Sequence, residues 1–163
     1  FGRMRYPVLG WRCLSTCPAL RKIDVASVSR HLARRCAAQA LYQWMVTGQP
    51  TTEIEPGFIS DDALDDSDIA YFRHLIGEVP ERREALEERL LALIDRPLSQ
   101  LDPVERAIIL IGAYEILFRP DIPNVVAINE AVDMAHLFGA KDSYKFVNGV
   151  LDRLASERGG VQH

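Results

Sequence analysis

The sequence predicts an all-α protein: a compact bundle of about six or seven helices behind a disordered basic N-terminal extension. Three observations carry this. Apolar residues recur at spacings of three and four from Ser29 onward. Helix start and stop residues such as Asp102-Pro103, Pro97 and Gly139 punctuate that pattern. No segment alternates with period two over a useful length, so strands have no support.

Residues 1–28 show neither periodicity and scatter arginines among Pro7, Gly10 and Pro18. They read as a disordered extension or one derived from expression, and the helical domain is expected over 29–158. The first helix spans about 29–47, with Ala33, Ala37, Ala40, Leu41 and Trp44 as its apolar stripe, and ends before Gly48. Residues 48–66 hold Gly48, Pro50, Pro56 and Gly57, then an acidic cluster, and predict a long surface loop whose acids suit the positive end of the next helix. Ile69, Phe72, Ile76 and Val79 share the face of a second helix that Pro80 breaks or restarts. Leu86, Leu90, Leu93 and Ile94 mark a third, ending at Pro97.

The fourth helix has the most complete start signal. Asp102 is the N-cap, Pro103 the first helical residue, and Glu105 is placed to close a capping box. Through Phe118 its only non-apolar residues are Glu105, Arg106, Gly112 and Glu115. Such a helix is either central to the domain or partly covered by another protein. A fifth helix carries Ile128, Ala131, Val132, Ala135 and Phe138. A sixth, capped by Asp142 or Ser143, buries Val147, Val150, Leu151 and Leu154.

A chain of 163 residues, 48% apolar and 26% charged, is composed like one globular domain, not a collagen or a disulfide scaffold. No run approaches 18 uncharged apolar residues, and the N-terminal stretch lacks a signal peptide's apolar core and cleavage site. No membrane contact is expected, and the expected compartment is the cytoplasm. Cys13, Cys17 and Cys36 cannot all pair, and a reducing cytosol keeps them as thiols. Cys13 and Cys17 lack further ligands nearby, so neither metal nor cofactor is expected.

The net charge of −4 hides an asymmetry. Residues 1–35 hold eight bases against Asp24 alone, a balance of +7, and the remainder holds eleven bases against twenty-two acids, −11. That suits a polyanion held at one edge, the alternative being a solvated tail.

Catalytic signatures are mostly absent. His31, His74, His136 and His163 are scattered singly, and neither HExxH, CxxC nor a phosphate-cradling Gly loop occurs, so no catalytic residue is assigned. Glu84, Glu87 and Glu88 sit at helical spacing among arginines as a solvated face. The first helix says more. Arg30, His31, Arg34 and Arg35 crowd its start, where the macrodipole disfavours cations, and Tyr42 shares their side. A phosphate chain is the natural counter-charge, with Tyr42 as a stacking face; a basic surface without ligand is the alternative. Gly112 and Gly149 interrupt helices, each implying a close approach by a core helix or by a partner. Lys145 beside Phe146 is a candidate base-stacking pair.

Several segments closely resemble the NusB family of bacterial transcription antitermination factors. They are Arg34-Arg35-Cys36-Ala37-Ala38-Gln39-Ala40-Leu41-Tyr42-Gln43-Trp44, Tyr71-Phe72-Arg73, Val104-Glu105-Arg106-Ala107, Gly112-Ala113-Tyr114-Glu115, Ala127-Ile128-Asn129-Glu130-Ala131, Phe138-Gly139-Ala140 and Lys145-Phe146-Val147-Asn148-Gly149-Val150-Leu151-Asp152. The match runs in order from about Arg30 to Ala155. The resemblance implies a non-enzymatic RNA-binding protein that pairs with the ribosomal protein NusE, recognises single-stranded boxA RNA in ribosomal RNA leaders and helps RNA polymerase read through terminators. It places RNA contacts on Arg30, His31, Arg34, Arg35, Asp142, Lys145 and Phe146, with Leu32 where an arginine often stands. It places the protein partner on Glu105, Ile109 and Gly112, and it allows a homodimer. One alternative is the RNA-binding module at the front of ribosomal RNA cytosine methyltransferases, which requires a further α/β domain and a catalytic Cys. The other is a purely protein-binding helical scaffold.

Overall fold

The computed structural model describes residues 25–60 and 64–161. These form seven α-helices: α1 (Val25–Thr47), α2 (Thr51–Ile59), α3 (Asp66–Glu81), α4 (Arg83–Leu91), α5 (Pro103–Phe118), α6 (Asn124–Phe138) and α7 (Ser143–Val161). A single 3-10 turn, Leu98–Gln100, precedes α5, and the described residues contain no strand. The expectation of disorder over 1–28 mostly falls outside the described residues, but Val25–Val28 already belong to α1. The chain divides into two compact units, residues 1–76 and 77–163.

In the first unit α1 packs against α2. Ala33, Ala37, Ala40 and Leu41 are buried as their spacing predicts, while Trp44 is half-buried. Arg34, Cys36, Ala38, Gln39 and Tyr42 are buried too, so α1 is covered nearly all round between residues 33 and 42. Cys36 is disulfide-bonded, not the expected thiol. Gly48 closes the helix at φ 72°, donating to Trp44 O at 2.9 Å, in the left-handed conformation that glycine enters without a Cβ penalty.

The expected loop over 48–66 contains α2. Burial of Ile54 overrides the poor helix propensity of Pro56 and Gly57. The Phe58 and Phe72 rings lie 5.5 Å apart, and Arg73 pairs with Glu55. The acidic cluster has the predicted use. Asp68 N–H donates to Asp65 Oδ1 at 2.9 Å and Asp65 N–H returns a longer bond to Asp68 Oδ2, a reciprocal cap on α3. That helix runs through Pro80 to Glu81, and a new one starts at Arg83, the restart alternative at this proline.

In the second unit α5 is central, packed by α4, α6 and α7. Eleven of its sixteen residues are buried, so the apolar helix is covered by its own chain. Leu86 and Leu90 of α4, Ala131 and Met134 of α6, and Val147, Leu151 and Leu154 of α7 supply the cover. A Cβ on Gly112 would lie 2.6 Å from Leu151 Cδ1 and 3.5 Å from the Ala131 Cβ. The glycine therefore lets α5 and α7 cross closely, the core-helix alternative at this position.

Asp102 caps α5 as predicted, accepting from Val104 N–H at 2.9 Å, with Pro103 first in the helix. The capping box is not closed. Glu105 Oε1 instead accepts from the hydroxyl of Ser143, joining the starts of α5 and α7.

Candidate nucleic-acid interface

The candidate residues fall into two sets, one in each unit. In the first unit, helical spacing brings Arg30 and Arg34 to the same ring. Their guanidinium carbons lie 5.5 and 5.6 Å from the Tyr71 centroid. Tyr71 is buried, so each cation is attracted to a desolvated π face. Arg30 is exposed, His31 and Arg35 are half-buried, and the Arg35 Nε atom is buried. Arg34, at 2% exposure, and Tyr42, at 5%, offer almost no surface. The expectation that Arg34 faces phosphate and Tyr42 a base is thereby corrected, because α1 is covered on the side that its cations were expected to leave open.

In the second unit Asp142, Lys145 and Phe146 come together at the start of α7. Asp142 takes φ 71°, a left-handed conformation tolerated by Asp, and turns the chain into the helix. Its carboxylate lies 3.3 Å from Lys145 Nζ, and its carbonyl accepts from Lys145 N–H at 3.1 Å. Lys145 is exposed, with Nζ also 5.8 Å from the Tyr144 ring centroid. Tyr144 itself stacks on His136 at 4.1 Å. Phe146 is half-buried, and Arg96 lies over its ring at 5.2 Å.

Phe146 and Arg96 belong to the walls of an open pocket of about 350 Å³, to which Lys145, Gly149 and Arg153 also contribute. Sequence reasoning missed Arg96 and Arg153. Arg153 stands two helical turns from Phe146, so periodicity could have found it. Arg96 comes from the segment between α4 and α5, and no local signal ties it to Phe146.

The expected partner residues lie differently. Ile109 is fully buried and Gly112 sits against Leu151 and Ala131, so neither presents a surface. Glu105 is half-buried and engaged with Ser143. Exposed apolar side chains occur instead at the end of α5 and along α6: Phe118, Val125, Val126 and Leu137. Among the described residues no group of His, Cys, Asp and Glu is arranged to hold a metal ion, and no helix is long and apolar enough to cross a membrane.

Residues 31–156 match the model of the NusB family. The transcription antitermination protein NusB of Shewanella piezotolerans is 46% identical over 127 residues, which cover 78% of this chain and 94% of that protein. The same-named protein of Shewanella oneidensis is 44% identical over 129 residues, 79% and 96% of the two chains. Among solved structures, NusB of T. maritima superposes with a TM-score of 0.73 at 30% identity, covering 78% of this chain and 91% of that one. A chain in a crystal structure of antitermination factors NusB and NusE in complex with dsRNA gives 0.74 at 21% identity, covering 80% and 98%, a likeness of fold. With the helix order, the closing Lys145–Asp152 block and the full-length matches in agreement, the chain belongs to the NusB family.

Proposed function

We propose that this protein is a non-enzymatic RNA-binding transcription antitermination factor. In this reading it acts in the cytoplasm with the ribosomal protein NusE, recognises boxA RNA in ribosomal RNA leaders and joins the antitermination complex of RNA polymerase. Its relatives are named as transcription antitermination proteins over nearly their whole lengths, which favours this over a methyltransferase module. The observation that carries RNA binding is the start of α7, where exposed Lys145 adjoins Phe146 and a second cation, Arg96, covers the Phe146 ring. A cation beside an aromatic face is what an unpaired nucleotide requires, one for phosphate and one for the base.

Two separate sets of RNA contacts belong to this reading: Asp142, Lys145 and Phe146 on α7, and Arg30, His31 and Arg35 on α1. Arg34 and Tyr42 support the second set from within. For the protein partner we assign the exposed apolar side chains Phe118, Val125 and Val126 about the α5–α6 turn, since Ile109 and Gly112 are interior. Glu105 then acts through Ser143 and not by direct contact. Self-association is the competing use of that patch. Titration of labelled boxA-type and scrambled RNA, with and without NusE, tests the reading. Preference for boxA that sharpens with NusE supports it, and equal weak binding of both RNAs overturns it. Sedimentation of the protein alone and with NusE tells heterodimer from homodimer.

A further inference from the structure

We infer that Tyr71 is a positioning residue for RNA binding: its ring holds the Arg30 guanidinium in place before phosphate arrives, a role that neither the resemblance nor the comparisons give it. The inference rests on the RNA-binding reading and deepens it at α1, with Tyr71 acting through Arg30 and not by contact with RNA.

Tyr71 opens the Tyr71-Phe72-Arg73 segment, and its two neighbours are engaged elsewhere. Phe72 is fully buried with its ring 5.5 Å from that of Phe58, and Arg73 pairs with Glu55. Both contacts fix the rotation of α3 against α2. His74, further along α3, stacks on the Tyr71 ring with 11° between planes and 6.2 Å between centroids, so the plane of that ring is set within α3 itself. At 8% exposure Tyr71 has too little open surface to stack a base.

Two cations meet the ring instead. Arg30 and Arg34 stand one turn apart on α1, and their guanidinium carbons lie 5.5 and 5.6 Å from its centroid. Arg34, buried, is fixed there, whereas Arg30 is exposed. Like charges beside one ring repel each other, and a phosphate on the open side relieves that repulsion. The shape of arginine permits both contacts at once: a guanidinium rests its flat face on an aromatic ring and keeps its N–H donors along the edge, in the plane that suits phosphate. A long side chain on a bare helix surface gives up its rotamer freedom when it meets RNA. On Tyr71 part of that loss is already incurred in folding, so the ring raises affinity without adding charge.

The test uses the full chain and a fluorescently labelled, single-stranded boxA-type RNA, with affinity measured over a range of salt. Tyr71→Leu removes the π face and keeps every charge. RNA affinity should fall about two- to fivefold, the worth of a cation–π contact at an exposed site, while the slope of log affinity against log salt stays that of the unaltered protein. Tyr71→Phe keeps the face and should keep the affinity. In an Arg30→Ala background Tyr71→Leu should have no further effect, because the side chain that the ring positions is gone. Should Tyr71→Leu not fold, phenylalanine and its pentafluoro analogue at position 71 provide the same contrast: the rings are close in shape, but fluorine reverses the charge of the face, and the fluorinated protein should bind RNA more weakly. Failure of the unaltered protein to bind boxA-type RNA overturns the RNA-binding reading and this inference together. With that binding intact, equal affinities for the two rings overturn the positioning role alone. So does an equal loss from Tyr71→Leu with and without Arg30, which marks a ring that only supports the fold.

Discussion

Arg34 shows how a residue can have the right chemistry and the wrong address. Its charge and its place among the cations of α1 suggest phosphate, yet it is buried with its guanidinium over Tyr71. Truncation to alanine removes a desolvated cation–π contact and leaves a hole, so Arg34→Ala should lose about 1–3 kcal/mol of unfolding free energy in urea titration. Exposed Arg30 is the opposite case. Arg30→Ala should leave stability nearly unchanged while lowering the salt slope of RNA binding by about 0.7. Equal stability losses in the two variants would contradict this division. The sequence could not show it, because the charge of a side chain is local information and the cover over it is not. Tyr42 and Ile109 misled in the same way: each lies on a helix buried on nearly every side, so spacing did not separate an outer face from an inner one.

At the scale of elements, start signals were legible where they are local. The Asp102 carboxylate caps α5 by accepting from the backbone N–H two residues on, and Asp65 caps α3 by accepting from the N–H three residues on. The helix over Thr51–Ile59 was not legible, because its reason is the burial of Ile54 while Pro56 and Gly57 argue locally against it. Glu105 was half legible. Its place three residues after the cap predicts a bond back to the cap, but the carboxylate holds Ser143 at the start of α7. Glu105→Ala should therefore destabilise by about 1–3 kcal/mol, the cost of leaving the buried Ser143 hydroxyl without its acceptor. It should also weaken RNA binding through the displaced Lys145 and Phe146. Glu105→Ala that loses NusE binding while keeping RNA affinity would return this residue to the partner surface. A second link joins α4 to α5. Burial raises the pKa of the Glu87 carboxyl, but bonds from Arg106 and Arg83 outweigh it, and the pKa lies below its usual 4.5. The stabilisation is full above the unfolded pKa and is lost as pH falls through the depressed folded value. The gap in thermal midpoint between the unaltered protein and Glu87→Gln should accordingly be constant near neutrality and shrink below about pH 4.5.

For the whole molecule, the all-α class followed from the period of the apolar residues, a property spread over the chain and insensitive to single errors. The pairing of Arg96 with Phe146 did not follow, since it exists only once separate segments have folded together. The helix that contains Asn148-Gly149 also sets how the molecule ages. Asparagine before glycine loses ammonia when the next backbone nitrogen attacks the side-chain carbonyl, and that attack needs a chain free of helical geometry. Within α7 the Gly149 nitrogen is held in the helical ladder, so the folded protein should keep its original isoelectric point on long incubation at neutral pH. Denatured chain should acquire acidic forms at this dipeptide, each adding a negative charge beside Lys145 and Arg153 and marking molecules that have spent time unfolded. Equal rates of acidification in folded and denatured samples, followed by isoelectric focusing and peptide mapping, would show that α7 gives this bond no shelter.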